Sequence, residues 1–422
     1  MLYYIIRPII RFALKIFFRK ISLSNLENIP AGKPVILAAN HPTAFLEPCI
    51  LACFQRRGLF YLVRGDIFAN PFYARILRSL HMLPVYRKRD RGFKFIKENY
   101  STFSTCHQTL ANNRTVMILA EGTTEHEKRL RPLVKGTARI AFGTLIEFPE
   151  TADVYIVPVG VNYTYADRFR SEVYIDFGEP ISTRSFESTY HDNPNQGIND
   201  LTDTLRERLE PRVIHIASEA DDELMEKLFR FDRSRQKFSI LPIVTEDNAP
   251  LKREKDLADF INGLKETKKQ KVSKLVENYF EVLGQCGLED CTRFEKHGNP
   301  LLLVPFFILG FPLFLMGYIY GFPPMRFAQF ITRKKVKDIT FFGSVLMATG
   351  VAGWLIYLLL LIILVLVTKL NYLLLLPLLA YFALFYRDTY ASWLCRWRYR
   401  KLSTESKEKL SRARNELENI LL

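Results

Sequence analysis

VILAANHPTAFLEP, residues 35–48, begins with an apolar run typical of a buried β-strand. This run ends at Asn40 and His41. Glu47 follows six positions after His41, beside Pro48, a residue that favours the first turn of a helix. A carboxylate next to an imidazole fixes its tautomer and stabilises the imidazolium that forms when the ring accepts a proton. His41 and Glu47 are therefore the residue types that a histidine general base and its carboxylate partner require, although a single His–acid pair is a weak signal by itself.

Outward from this stretch, strand-like and helix-like patterns alternate over residues 21–183. Apolar runs of β type recur at 59–63, 115–119, 154–160 and 172–177, and helical patterns occupy 48–54, 71–80, 92–111 and 136–146. This alternation predicts an α/β domain with a central, mostly parallel sheet flanked by helices. The runs are apolar almost throughout, as in strands that are buried on both faces.

Three further blocks follow predicted strands. They read RGDIFANPFYARILRSLHMLPVYRKR from Arg64, AEGTTEHEKRLRPLVKGTARIAF from Ala120 and IVPVGVNYTY from Ile156. Together with the block around His41, and in this order, they resemble the glycerolipid acyltransferase superfamily, whose membrane enzymes acylate glycerol-3-phosphate and lysophosphatidic acid. The resemblance covers residues 30–180. It implies transfer of a fatty acyl group from a thioester to a hydroxyl.

The resemblance implies that His41 is the catalytic base and Glu47 its carboxylate partner. The commonest family pattern has an acid after four intervening residues, where this chain has Leu46, and Glu47 comes one place later. A branch that resembles glycerol-3-phosphate or dihydroxyacetone-phosphate acyltransferases has the longer spacing, usually with Asp. Glu47 is one methylene longer than Asp, which predicts an active pair with looser geometry.

Substrate-binding residues are implied by the second and third blocks. In the second, Arg64 and Gly65 match the family, and Arg87 matches an arginine that can hold a phosphate through two parallel N–H bonds. The alternative for Arg87 is a solvated basic loop. In the third block, the matching residues are Glu121, Gly122, Thr123, Lys135 and Gly136.

Glu121 is an unexpected neighbour for a phosphate, because a carboxylate repels an anion unless it is paired. We therefore expect Glu121 to order nearby basic residues or to contact acceptor hydroxyls, with positive charge from Arg129, Arg131 and Lys135. The fourth block, residues 157–160, is apolar, which favours a role in core packing or in the wall of a site for the acyl chain.

Charge and hydropathy point to a membrane. The 422 residues include 59 Lys and Arg against 44 Asp and Glu, a net charge of +15, which predicts a polyanionic partner. Apolar runs near the C-terminus favour anionic membrane lipid over nucleic acid. In residues 1–20, Arg7, Arg11 and Lys15 recur every four positions, which predicts an amphipathic helix in the membrane interface. The alternative is an amphipathic helix packed on the protein's own core.

The rest of the chain divides by composition. Residues 184–300 are charged and helix-favouring, and 401–422 form a charged tail. Within 301–400, the sequence predicts a re-entrant or interfacial segment at 301–321 and a transmembrane hairpin of 341–367 and 370–386. Basic residues on both sides of this hairpin predict that its ends, and the catalytic domain, lie on the cytoplasmic side.

The predicted reaction is direct acyl transfer with acyl-CoA or acyl-carrier protein as co-substrate, without a cofactor or metal. The acceptor stays open between glycerol-3-phosphate, dihydroxyacetone phosphate, lysophosphatidic acid and an amino-lipid. One rival is a non-catalytic lipid-binding or scaffold protein on the same fold. A second is a nucleic-acid-binding protein, which is not expected because the chain lacks the aromatic-interleaved basic motifs of such proteins.

Overall fold

The computed structural model describes residues 2–85, 96–236, 241–289 and 300–421. The chain divides into two compact units. The first contains residues 1–214, 243–248 and 335–347, and the second contains 215–242, 249–334 and 348–422. The first unit therefore extends beyond the predicted boundary at 183 and recruits two short segments from later in the chain.

The first unit is built on a nine-stranded sheet of described residues, in the order β4-β3-β5-β2-β6-β7-β1-β9, with β8 paired to β6. Its pairs are parallel except β6–β7 and β6–β8. The predicted mostly parallel α/β fold is confirmed. The strands are β1 Lys20–Ser24, β2 Val35–Ala39, β3 Leu59–Arg64, β4 Met82–Val85, β5 Thr115–Leu119, β6 Tyr155–Tyr163, β7 Glu172–Phe177, β8 Ile181–Ser182 and β9 Val244–Thr245.

Helices cover both faces of this sheet. Because side chains alternate along a strand, Leu37 of β2 lies in one core cluster with Leu46 and Ile50, whereas Ile36 lies in a second cluster with Ile140. All five residues of β2 are buried, as its continuous apolar pattern predicts. The helices of this unit are α1 Leu2–Phe17, α2 Leu46–Phe54, α3 Pro71–Ser79, α4 Ile96–Ala111, α5 Gly136–Glu147, α6 Glu187–Asp192 and α7 Pro194–Leu209.

One side of helix α1 packs on the protein's own core, and the membrane-interface interpretation stays a prediction. Leu14 and Phe17 are buried in the core, and Arg7 donates to the carbonyl of Gln55 at the end of α2. The exposed side instead carries a stripe of apolar residues at helical spacing, including Ile5, Ile9 and Phe12. The exposed residues are mainly apolar, with Arg11 among them, as expected of a helix that contacts lipid.

The second unit is helical in its described residues. Its helices are α8 Asp222–Ser234, α9 Ala249–Asn262, α10 Glu266–Gln285, α11 Val304–Lys335, α13 Leu376–Lys401 and α14 Thr404–Leu421, and α12 Ile339–Thr368 belongs to it from residue 348 onward. Cys395 is disulfide-bonded.

Three helical segments of the described chain are long and apolar enough to cross a bilayer, which indicates membrane association. They are Leu301–Lys335, Ile339–Thr368 and Asn371–Lys401. The first apolar run is part of a continuous helix and is longer than the predicted segment 301–321, with Pro312 accommodated inside α11. The two-span hairpin of 341–367 and 370–386 stays a prediction.

Candidate active site

His41 lies just after the carboxyl end of β2, beside the end of β5 and the last part of β6. β2 runs between β5 and β6 and parallel to both, so the carboxyl ends of the three strands lie at one edge of the sheet. Asn40 holds the end of β2, since its amide donates to the Val161 carbonyl (2.9 Å) and its oxygen accepts from the Val161 N–H (2.7 Å). His41 follows directly and is buried. The strand end therefore fixes the backbone from which the imidazole projects.

Glu47 faces the imidazole as the sequence predicts. Its Oε2 lies 3.9 Å from His41 Nδ1, longer than a hydrogen bond but close enough for a strong charge interaction. Both carboxylate oxygens are held by Thr43, whose N–H donates to Oε1 (2.7 Å) and whose hydroxyl donates to Oε2 (2.9 Å). Glu47 also lies in the first turn of α2, where the helix dipole favours negative charge. The longer spacing thus delivers the acid to the imidazole.

Burial dominates the ionisation of Glu47. The side chain is fully buried, and desolvation raises its pKa to about 8, against the opposing effect of the hydrogen bonds from Thr43. The carboxylate of Glu121 adds a smaller increase. An imidazolium that forms on His41, 3.9 Å away, compensates this desolvation, because it supplies a positive charge beside the buried carboxylate. The arrangement therefore favours proton uptake by His41 most strongly when Glu47 is ionised.

Thr124 occupies the other side of the imidazole and was not singled out from the sequence. Its hydroxyl lies 2.5 Å from His41 Nε2. This is the nitrogen that points away from Glu47, and a hydroxyl at this distance is where a substrate hydroxyl must lie to lose its proton. The sequence feature that could have indicated Thr124 is its position directly after Thr123 in the matching block EGTT.

Glu121 is paired, which resolves its conflict with an anion site. Its Oε2 accepts from the backbone N–H of His41 (3.1 Å) and from Arg131 Nη2 (2.6 Å). Its Oε1 accepts from the backbone N–H of Arg131 (3.1 Å). Arg131 also donates to the Thr123 hydroxyl (2.6 Å). The expectation that Glu121 orders basic residues is supported by these contacts, and Glu121 additionally orients the backbone of His41.

The turn after β5 needs its glycine. Gly122 has a φ of +71°, and a Cβ there would lie 3.0 Å from Cγ1 of Val134. Lys135 is exposed and precedes Gly136, the first residue of α5, so the predicted step into a helix is present. A Cβ on Gly136 meets nothing within 4 Å, so packing does not require glycine there.

The second block lies at the end of β3. Gly65 is buried and begins a short 3₁₀ helix, while Arg64 is half exposed and forms two hydrogen bonds with Asp66 (2.8 and 3.2 Å). Asn70 caps α3 by accepting from the Phe72 N–H (2.9 Å). Arg87 lies outside the described residues, so its predicted phosphate contact stays a prediction. The residues grouped around the imidazole are called the His41 cluster: His41, Thr43, Glu47, Glu121, Thr124 and Arg131. Among the described contacts, no hydrogen bond joins Arg64 or Gly65 to the His41 cluster.

The described side chains include no group of three or more His, Cys, Asp or Glu that could hold a metal ion. The chemistry available in the described cluster is that of a histidine base, a buried carboxylic acid, two threonine hydroxyls and the Glu121–Arg131 pair. This set can remove a proton from a hydroxyl and stabilise the resulting imidazolium.

Comparison with known proteins identifies the class of this domain. Residues 20–162 match the family model described as Acyltransferase. The matched range holds β1 to β5, all but the last residue of β6, and the His41 cluster, and the resemblance seen in the sequence is confirmed.

Two relatives come from Saccharomyces cerevisiae. Glycerol-3-phosphate O-acyltransferase 1 is 34% identical over 105 residues, which cover 24% of this chain and 14% of the relative. Glycerol-3-phosphate O-acyltransferase 2 is 28% identical over 138 residues, which cover 32% and 18%. The chain therefore spans less than one fifth of the length of each relative.

Among solved structures, the 1-acyl-sn-glycerophosphate (LPA) acyltransferase PlsC from Thermotoga maritima covers 49% of this chain and 79% of its own, at 18% identity. The TM-score is 0.36, so this likeness adds nothing to the family match.

Proposed function

We propose that this chain is a membrane-bound O-acyltransferase in phospholipid biosynthesis. It moves a fatty acyl group from a thioester to a hydroxyl of glycerol-3-phosphate or 1-acylglycerol-3-phosphate. The observation that carries the proposal is the position of His41, with Nε2 2.5 Å from a hydroxyl oxygen and Nδ1 3.9 Å from a buried carboxyl group. The family match over residues 20–162 and the names of the two yeast relatives support the reaction and the acceptor class.

In the proposed mechanism, the acceptor hydroxyl replaces Thr124 at His41 Nε2. His41 takes its proton as the oxygen attacks the thioester carbonyl of acyl-CoA or acyl-carrier protein. Glu47 stabilises the imidazolium, most strongly in its ionised form, and the imidazolium returns the proton to the departing thiolate. No cofactor takes part. A general base of this kind contributes roughly 10²- to 10⁴-fold to the rate.

Substrate contacts follow from the neighbouring blocks. Arg64, Gly65 and Arg87 would bind the acceptor phosphate from the second block, with Lys135 and Gly136 at the start of α5. Glu121, Gly122 and Thr123 would form the wall of the site beside His41, with Arg131 holding them in place. Arg131 is largely occupied by Glu121 and Thr123, so exposed Lys135 is the better source of charge for an incoming anion.

The membrane is the phase in which the acylated product dissolves. Helix α1 exposes its apolar stripe, and three helical segments are apolar enough to enter a bilayer. We propose that the catalytic domain lies on the cytoplasmic side, because the basic flanks of the apolar segments favour that side. The net charge of +15 would draw it to anionic lipid.

The test offers labelled acyl-CoA and acyl-carrier protein to membranes that contain the chain and to matched membranes that lack it. Glycerol-3-phosphate, dihydroxyacetone phosphate and 1-acylglycerol-3-phosphate are supplied in turn. Transfer above background to one of them supports the proposal and names the acceptor. Equal background throughout, with retained binding of acylated lipid, would instead favour the non-catalytic scaffold. That alternative has one observation in its favour: Glu47 Oε2 lies 3.9 Å from His41 Nδ1, which is longer than a hydrogen bond.

A further inference from the structure

The loop between His41 and Glu47 is held by a segment almost 300 residues away in the chain. The Ala44 N–H donates to the carbonyl of Thr340 (3.0 Å), and the Phe45 N–H donates to the Ser344 hydroxyl (3.2 Å). Phe45 is the residue before α2 and provides no side-chain cap for that helix. These two backbone donors thus obtain their partners from α12, the most apolar of the three membrane-compatible segments.

The contacting face of α12 is built for close approach. Thr340, Gly343, Ser344 and Met347 recur at helical spacing, and Ser344 is fully buried. A Cβ on Gly343 would overlap the carbonyl oxygen of Ala166, so only glycine fits at this position. Met347 lies in the same core cluster as Leu46. Residues 335–347 accordingly belong to the compact unit that contains the active site.

The start of α12 is capped by its own neighbouring residues. The Asp338 carboxylate accepts from the Thr340 N–H (2.9 Å) and from the Thr340 hydroxyl (2.7 Å), which caps the helix. Buried polar groups are costly in apolar segments and are found mainly where they have a function. Thr340 and Ser344 take no part in the proposed mechanism, so their presence calls for another explanation.

We propose that the first turns of α12 are a positioning element of the active site. Thr340 and Ser344 hold loop 42–45 and thereby set the distance between His41 and Glu47, and Gly343 permits the close approach of α12 on which these bonds depend. This rests on the proposed function for its catalytic consequence. The membrane helix then does more than anchor the protein: its N-terminal turns complete the support of the catalytic pair. Detaching or displacing these turns lowers catalysis even when substrate still binds.

The experiment uses the full chain in nanodiscs and compares Ser344→Ala and Gly343→Ala with Gly350→Ala. Gly350 is the matched control, because a Cβ there meets only the Ala328 methyl at 4.0 Å. Hydrogen–deuterium exchange of peptides covering residues 42–47 reports on the loop without any assay of activity. Steady-state kinetics with the preferred acceptor report kcat and KM per folded protein.

The proposal predicts that Ser344→Ala accelerates exchange of the Phe45 amide about ten-fold and lowers kcat about ten-fold, with KM within two-fold, because the reacting groups lose alignment. Gly343→Ala behaves similarly, and Gly350→Ala matches the wild type. Unchanged exchange and unchanged kcat in both Ser344→Ala and Gly343→Ala would overturn it, as would equal losses in the control. If the wild type transfers no acyl group to any acceptor, the proposed function fails, and the exchange of loop 42–45 alone decides whether α12 holds it.

Discussion

Replacing Glu47 by Gln should change how stability depends on pH. Glu47 is fully buried with a pKa of about 8, against an ordinary value of 4.5. Between these two values the folded protein keeps the proton and the unfolded chain releases it, so the free energy of unfolding falls as pH rises from about 4.5 to 8. The difference of about 3.5 units corresponds to about 5 kcal/mol, since each unit is about 1.4 kcal/mol.

The Glu47→Gln variant has no such loss, because an amide does not ionise. Its amide oxygen can still accept from the Thr43 N–H, and the Thr43 hydroxyl can turn to accept from the amide NH₂, which limits the pH-independent cost to about 1 kcal/mol. Near pH 5 we therefore expect Glu47→Gln to be equal to or slightly less stable than wild type. Above about pH 8 it should be more stable by about 4 kcal/mol, the loss in wild type less this cost.

The assay is thermal unfolding of the full chain in detergent at about pH 5 to 9, for wild type, Glu47→Gln and the exposed control Glu150→Gln. At about 2–4 °C per kcal/mol for a domain of this size, the midpoint of Glu47→Gln should exceed that of wild type by roughly 10 °C at about pH 9. Parallel curves for wild type and Glu47→Gln across the whole range would refute the argument that burial holds the proton on Glu47.

Two further predictions concern the residues around the catalytic pair. Thr124→Val should keep acyl transfer within about ten-fold of wild type, since Thr124 only occupies the acceptor's place at His41 Nε2 and one hydrogen bond is lost. A loss in steady-state rate as deep as that of His41→Ala would contradict this role. Gly122→Ala should lower stability by about 1–2 kcal/mol because of its positive φ, measured by thermal unfolding, whereas Gly136→Ala should be neutral; equal effects at both positions would contradict this.

The strands that carry the site could be predicted because they are buried on both faces. β2, β5 and β6 are continuous apolar runs, and their order along the chain with intervening helices implies a parallel sheet. β1 and β9 could not be predicted in the same way. β1 is a short strand that mixes lysine and serine with apolar residues, and β9 has two residues whose pairing with β1 depends on tertiary structure.

The catalytic pair was predictable in identity and its supporting contacts were not. His41 and Glu47 are six positions apart, so local structure alone brings them near each other. The contacts of Thr124 and Ser344 span 83 and 299 positions. Such contacts depend on how distant segments pack, and the apolar pattern of α12 gives no indication that its first turns support a catalytic loop.

The helical region shows the same limit. Its composition predicted helices over 184–300, and α6 to α10 confirm that character in the described residues. The division into units was not predictable, because residues 243–248 join the sheet and 335–347 join the catalytic unit through contacts that no local pattern encodes.

The central claim is that His41 is the base in acyl transfer. The most direct measurement compares the rate of labelled acyl transfer to the preferred acceptor in membranes that contain wild type, His41→Ala or the exposed control His191→Ala, at equal protein. The account predicts a loss of roughly 10²- to 10⁴-fold in His41→Ala and a wild-type rate in His191→Ala. Transfer by His41→Ala at the wild-type rate would contradict it.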